Sequence, residues 1–478
     1  MPPSKPVKTV YQGTFIHLTS LTTLEVLEDA AVYVDIDGVI KMVQREGDGT
    51  AAMKNVLGWD ESEVKVVRMG GKGKGKGKGR FWFPGFVDTH IHASQFPNAG
   101  IFGKSTLMDW LETYTYPLES SFSSLDTAKR IYTRCIKRTL AHGTTTAAYY
   151  ATIHAPATNL LSDVCLSLGQ RAFIGRCNMD SDIHLDYYRD ASAESAIRDT
   201  KDTIEHIKSI DPTYSLITPI ITPRFAPSCT RPLMTELGNL HKETGLPIQT
   251  HISENPGEIK MVKNMFPEYD SYAAVYDAYG LLTDKTLLAH ACHFSPSEVE
   301  LVKTRKSKVS HCPISNSYLG SGICPVRELL EEGIDVGLGT DVSGGWSPSI
   351  LTAAREAGGV SRLRTALVDP SMEQAEKDKM KLSTEECLYL ATRGGAKCVG
   401  LEKRIGGFEL GMTWDAQLID LGSLIADDGE DGGVGGVDLW GKENWEGKLA
   451  KWIHCGDDRN TKAVWVGGSL VSGSMPSA

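Results

Sequence analysis

The chain has 478 residues and a mass of 52.0 kDa, which exceeds one ordinary core but suits a large α/β barrel domain accompanied by a smaller one. With 41% hydrophobic and 23% charged residues it is neither disordered nor fibrous. A formal net charge of -10 argues against nucleic acid as the main partner.

The opening MPPSKPVKTVYQGTFIHL lacks the apolar core of a secretory signal. No stretch reaches the roughly 18 apolar residues of a membrane span, so a soluble cytoplasmic protein is expected. Strand-like pieces follow in TVYQGTFIHL and AAVYVDIDGVIKMV, and similar ones recur near the end in WDAQLID and KAVWVGGSLV. The two ends are expected to pair as a small β-sandwich domain, formed by residues 1–80 and 406–478. The alternating Gly and Lys of GKGKGKGKGR, from Gly71 to Arg80, and the acidic ADDGEDGGVGG, from Ala426 to Gly436, cannot build a core and read as solvated loops.

Between the ends, over residues 81–405, short β-branched or apolar runs alternate with longer amphipathic ones, the rhythm of βα units on a parallel sheet. Eight strands are predicted: GFVDTHIH to His92, GTTTAAYY to Tyr150, RAFIGRCNMD to Asp180, SLITPIITPRF to Phe225, LPIQTHISE to Glu254, TLLAHACH to His293, KVSHCPISN to Asn316, and IDVGLGTDVSG to Gly344. Helices are expected in DTAKRIYTRCIKRTLAHG and SPSEVELVKTRK. Eight such units predict a (β/α)8 TIM-like barrel. The ten cysteines form no Cys-x-x-Cys pair, and Cys135, Cys165, Cys177 and Cys312 sit in apolar runs as reduced, buried thiols do.

Side chains at i and i+2 of a strand face one side, so His90 and His92 in PGFVDTHIHASQ can reach one point. Such a pair alone is often only a polar strand edge. The other strand ends carry His251, His290, His311 and Asp341, and a barrel gathers its C-terminal strand ends on one face. Imidazoles with one carboxylate suit Zn²⁺, or less specifically Fe²⁺, and such a site keeps a position for a water that ionises near pH ~7. Glu254, three residues past His251, is a candidate proton carrier. His311 reads as a hydrogen-bonded strand-end histidine, with CPISN after it as a turn. Gly-x-Ser-x-Gly, phosphate-loop and Pro-Cys-x-x-Cys motifs are absent.

The stretches PGFVDTHIH, HISEN, HCPISN and GLGTD resemble the metal-dependent amidohydrolase superfamily, and within it a branch that acts on purine bases. Resemblance to that branch runs through DTHIHASQ, LMDWLETYTYPLE, RTLAHGTTTAAYYATIH, TPRFAPSC and GLGTDVSGG, and resumes at GDDRN. It implies one Zn²⁺ per chain held by His90, His92, His251 and Asp341, with Glu254 as proton shuttle. His290 would hydrogen-bond the attacking water, and Asp341 would orient it. A single metal agrees with SLITPIITPRF, which has no lysine to bridge a second one. The resemblance further implies hydrolytic deamination of guanine to xanthine and ammonia, with Arg224, Phe225 and Gln95 binding the base, and a homodimer. The alternatives are a deaminase of an adenine derivative or cytosine and, more remotely, a non-catalytic binding protein on the same fold.

Overall fold

The computed structural model describes residues 6–45, 50–69, 79–104, 107–183, 185–425 and 434–474. Nearly all of the Gly/Lys tract and most of the acidic glycine-rich stretch lie outside the described residues. Among the described residues no helix is long and apolar enough to cross a membrane.

Five strands open the chain: β1 (Thr9–Leu18), β2 (Leu24–Val34), β3 (Ile40–Gln44), β4 (Lys65–Arg68) and β5 (Arg80–Pro84). Ten short ones follow: β6 (Phe86–His92), β7 (Thr144–Tyr150), β8 (Arg171–Gly175), β9 (Cys177–Asn178), β10 (Ile217–Pro219), β11 (Thr222–Pro223), β12 (Ile248–Ile252), β13 (Thr286–His290), β14 (Lys308–His311) and β15 (Val336–Leu338). Three close it: β16 (Ala416–Asp420), β17 (Thr461–Val466) and β18 (Ser469–Gly473).

The middle strands form parallel sheets in the orders β10-β8-β7-β6, β11-β9 and β12-β13-β14-β15. Every residue of β6, β7 and β8 is buried, as expected of strands covered on both faces. Two predicted strands are split. RAFIGRCNMD breaks at Arg176 into β8 and β9, and SLITPIITPRF breaks after Pro219 into β10 and β11. Backbone bonds continue between sheets: Asp341 N–H donates to His90 O (2.8 Å), His92 N–H to Val342 O (3.1 Å), and Gln249 N–H to Ile221 O (2.9 Å).

The expected helices are present as Leu125–Ala141 and Pro296–Arg305. Ser295 caps the second in a reciprocal box with Glu298, which satisfies two otherwise unpaired N–H groups. CPISN is a correction: Pro313–Tyr318 is a helix rather than a turn. Pro313 occupies the first helical position, where its missing N–H costs nothing and its fixed φ suits the helix.

The chain ends pair as expected, in one eight-stranded sheet of order β18-β17-β16-β5-β1-β2-β3 with β4 against β1. Its core is aromatic: Tyr11 stacks on Trp414 at 4.1 Å, and Trp82 meets Trp465 edge-on at 5.3 Å. The step from this sheet to β6 is Gly85, where a Cβ would lie 2.1 Å from Thr145 Oγ1, so only glycine fits between the layers. Asp415, just before β16, locks the same joint. Its carboxylate receives Arg171 Nε and Nη2 at 3.2 Å and the Gly467 N–H at 2.8 Å, with the ion pair almost wholly buried. Removing one partner of such a pair leaves an uncompensated buried charge. Asp415→Asn is therefore expected to cost about 3 kcal/mol of stability, read as a lower midpoint in urea unfolding; an unchanged midpoint would show that the joint contributes nothing.

Candidate active site

β6 delivers His90 and His92 side by side, with ring centroids 5.0 Å apart. The ends of β12 and β13 supply His251 and His290, and the segment after β15 supplies Asp341. Four of the seven non-glycine residues with left-handed φ among the described residues lie here, Ser253, His290, Ala291 and Asp341. Strained backbone of this kind persists where surrounding structure over-determines it. Two of the four, His290 and Asp341, line the cavity described below.

His92 Nε2 and His251 Nε2 stand 3.2 Å apart, and Asp341 Oδ1 lies 3.1 Å from His90 Nε2 and 3.5 Å from His92 Nε2. His251 Nδ1 is 2.6 Å from the Arg224 carbonyl. Since a carbonyl only accepts, Nδ1 carries the proton and Nε2 points a lone pair into the cluster. Burial, and next the neighbouring His90, hold His92 and His251 well below the usual imidazole range, so both rings are neutral, the form able to ligate a metal. Burial would raise Asp341, but His90 and His290 outweigh it and bring its pKa to about 2.

His90 Nε2 is buried without a hydrogen bond despite its proximity to Asp341. Donors aimed at a common point rather than at each other are what a cation requires. Tetrahedral coordination at about 2.0–2.1 Å separates donor atoms by ~3.3 Å, close to the spacings here. Among the described residues, His90, His92 and Asp341 form one group able to hold a metal ion, and His90, His251 and His290 form another. The donor set thus fits zinc or ferrous iron.

A cavity opens over this cluster, lined by His92, His251, His290, Asp341, Glu254, Glu258, Gln95, Arg224, Phe225 and the apolar Leu107, Trp110, Leu111 and Leu319. Apolar walls with a few converging polar groups are the lining of a small-molecule site. Glu254 Oε1 accepts the Ser321 hydroxyl at 2.8 Å, and Oε2 lies 3.5 Å from His290 Nε2. Burial pushes the Glu254 carboxyl up. For His290 burial acts downward, but the carboxylates of Glu254 and Asp341 prevail and raise it.

Of the ten residues singled out from the sequence, nine meet here: eight line the cavity and His90 lies buried against them. His311 does not join either metal-holding group, and neither ring nitrogen has a hydrogen-bond partner, contrary to the expectation of a bonded strand-end histidine. Burial lowers its pKa to about 3, so it is a neutral ring packed behind the cluster.

Three residues escaped the sequence reading. Asn316 Oδ1 accepts from His290 Nδ1 at 2.9 Å; the mistaken turn concealed it. Glu258 accepts the Glu254 N–H at 3.0 Å while capping helix Pro256–Met265, which the capping spacing from Asn255 to Glu258 could have signalled. Glu119 binds Arg224 and Gln95, and nothing in spacing or composition marks it.

The Amidohydrolase family model matches residues 81–471. A probable guanine deaminase of Schizosaccharomyces pombe is 49% identical over 97% of this chain and 83% of its own length. The Homo sapiens guanine deaminase is 39% identical over 98% of this chain and 97% of its own. A crystal structure of guanine deaminase from C. acetobutylicum, with guanine bound in its active site, superposes with a TM-score of 0.83 at 33% identity, covering 97% of this chain and 99% of that one. With a matched family model spanning most of its length and a donor cluster at its strand ends, the chain belongs to the amidohydrolase family.

Proposed function

We propose that this chain is a guanine aminohydrolase, which adds water across C2 of guanine and releases xanthine and ammonia. The observation that carries the reading is the convergence of a cation-ready His/Asp cluster, a buried carboxyl and a pair of side-chain donors around one cavity. The guanine-bound relative and the extent of identity to guanine deaminases support the choice of substrate.

His90, His92, His251 and Asp341 would hold one zinc or ferrous ion. When bound, such a cation supplies the acidification that makes hydroxide available near neutral pH. Glu254 receives a proton from the water on Oε2, the oxygen that Ser321 leaves free, and gives it to the ring nitrogen beside C2; it then takes the second proton from the hydroxyl now on C2 and passes it to the amine, which departs as ammonia while the C2 carbonyl forms. Its raised pKa suits a group that must both accept and give. His290, with Nδ1 committed to Asn316, turns Nε2 toward the water, and Asp341 accepts a hydrogen bond that orients it. Phe225 forms a wall against the flat face of the base, while Arg224 and Gln95 bind its edge.

The same reading includes closure of the parallel strands into a (β/α)8 barrel over residues 81–405, with the bonds from Asp341 to His90 and from Gln249 to Ile221 as support. The terminal sheet would fold as a sandwich beside it. A homodimer in the cytoplasm, serving purine catabolism or salvage, completes the proposal; light scattering tests the dimer.

The direct test is incubation of metal-loaded protein with guanine, following xanthine and ammonia, beside a chelator-treated sample. Chelator-sensitive xanthine release is expected. No product from protein containing its metal would remove guanine as substrate and leave the family assignment intact.

A further inference from the structure

Glu119 lies on helix Tyr116–Ser120, fully buried, and is not part of the cavity lining. Five donors converge on its carboxylate. Oε1 receives Gln95 Nε2 (2.9 Å), Arg224 Nη2 (3.4 Å) and Ser94 Oγ (3.5 Å), and Oε2 receives Arg224 Nη1 (2.6 Å) and Tyr188 OH (2.8 Å). The other end of the Gln95 amide is equally committed, because Oε1 accepts the Ser343 N–H (3.2 Å) and hydroxyl (3.3 Å).

These partners fix the amide's orientation. A backbone N–H can only donate, so it must face the amide oxygen, and an ionised carboxylate can only accept, so it must face the amide nitrogen. With both oxygen lone pairs occupied, the one group Gln95 has left for a ligand is its second N–H. Arg224 offers nothing but donors. The edge these two residues present to the cavity therefore donates and never accepts.

We propose that Glu119 is a positioning residue that sets purine selectivity: by holding Gln95 and Arg224 as a donor-only edge, it admits a 6-oxo purine and rejects a 6-amino one. This rests on the guanine reading of the pocket. An oxo oxygen beside an unprotonated ring nitrogen pairs with such an edge. An amino group brings a donor against donors and leaves both unpaired in a dry site, the condition under which polar sites discriminate most. With glutamine at position 119, the new amide must turn its own NH2 toward one of the two neighbours. Where that NH2 faces Gln95, donor meets donor, and turning the Gln95 amide to accept it costs the Ser343 bonds; neither orientation satisfies every partner, so the amide loses its single fixed setting and the edge is no longer donor-only.

The test measures binding of hypoxanthine and adenine to metal-loaded protein by calorimetry, since neither carries the 2-amino group that the proposed reaction removes. The wild type is expected to favour hypoxanthine by about 100-fold or more, Glu119→Gln by less than ~10-fold, and Tyr188→Phe, which leaves the carboxylate and both edge donors in place, as the wild type. In guanine turnover Glu119→Gln is expected to raise KM more than it lowers kcat. Metal content and melting temperature identify folded protein; should the glutamine form not fold, Glu119→Asp, with its charge withdrawn by one methylene, is expected to give an intermediate preference. An unaltered preference in the folded variant overturns the proposal. So does a wild type that binds both purines alike, even if it releases xanthine from guanine. A wild type that keeps the oxo preference without releasing xanthine supports Glu119 and removes the reaction instead.

Discussion

Glu254→Gln is expected to lower kcat by about 10³–10⁴-fold while the metal content per chain stays that of the wild type. The amide is nearly isosteric and can still accept from Ser321, whose bond to Oε1 is 2.8 Å long. The Glu254 N–H keeps its bond to Glu258, so the strand-end geometry survives. What disappears is a group able to take a proton and give it back. Parallel metal analysis and steady-state kinetics check this, and a variant that retains its turnover would remove Glu254 from the proton-carrying role. Because burial raises this carboxyl, activity that depends on its ionised form should fall as pH drops through that raised value. The glutamine variant's residual activity should lack that limb.

His251→Ala is expected to produce the opposite pattern, with loss of metal and of turnover together. His251 is oriented by the Arg224 carbonyl at 2.6 Å and faces His92 at 3.2 Å. Removing it leaves two imidazoles and one carboxylate, and the stoichiometry should fall from about one ion per chain to a small fraction of that. Dialysis against a chelator should strip the remainder faster than from the wild type. If the variant kept its full metal content, His251 would be a bystander and the alternative donor His290 would have to be considered in its place. Taken together, the two substitutions separate holding the cation from moving the proton.

The candidate site was legible because its ingredients have periodicity. His90 and His92 announce themselves by a spacing of two on a strand, and the remaining donors fall at the ends of predicted strands, where parallel α/β folds gather them. Strand extents were less legible. RAFIGRCNMD has strand composition throughout, but the chain breaks at Arg176, a fully buried cation paired with Asp190, and a tertiary pairing of that kind leaves no local trace. The Pro-Ile-Ser-Asn run has turn composition and folds as a helix because proline at a first turn is also a helix opener. Glu119 was invisible for a further reason. It reaches Arg224 across 105 positions from a connecting segment that belongs to neither repeating pattern, so only assembly brings the two together.

The sheet built from both chain ends also bears on how the protein is made. β5 is flanked by β1 on one side and by β16 on the other, yet Ala416 leaves the ribosome 332 residues after Pro84. At roughly 5–20 residues per second that interval lasts on the order of 20–60 s. Throughout it, the apolar run Phe81-Trp82-Phe83 carries an open strand edge, a template for pairing with other nascent chains. Expression conditions that lengthen the wait should therefore lower the soluble yield.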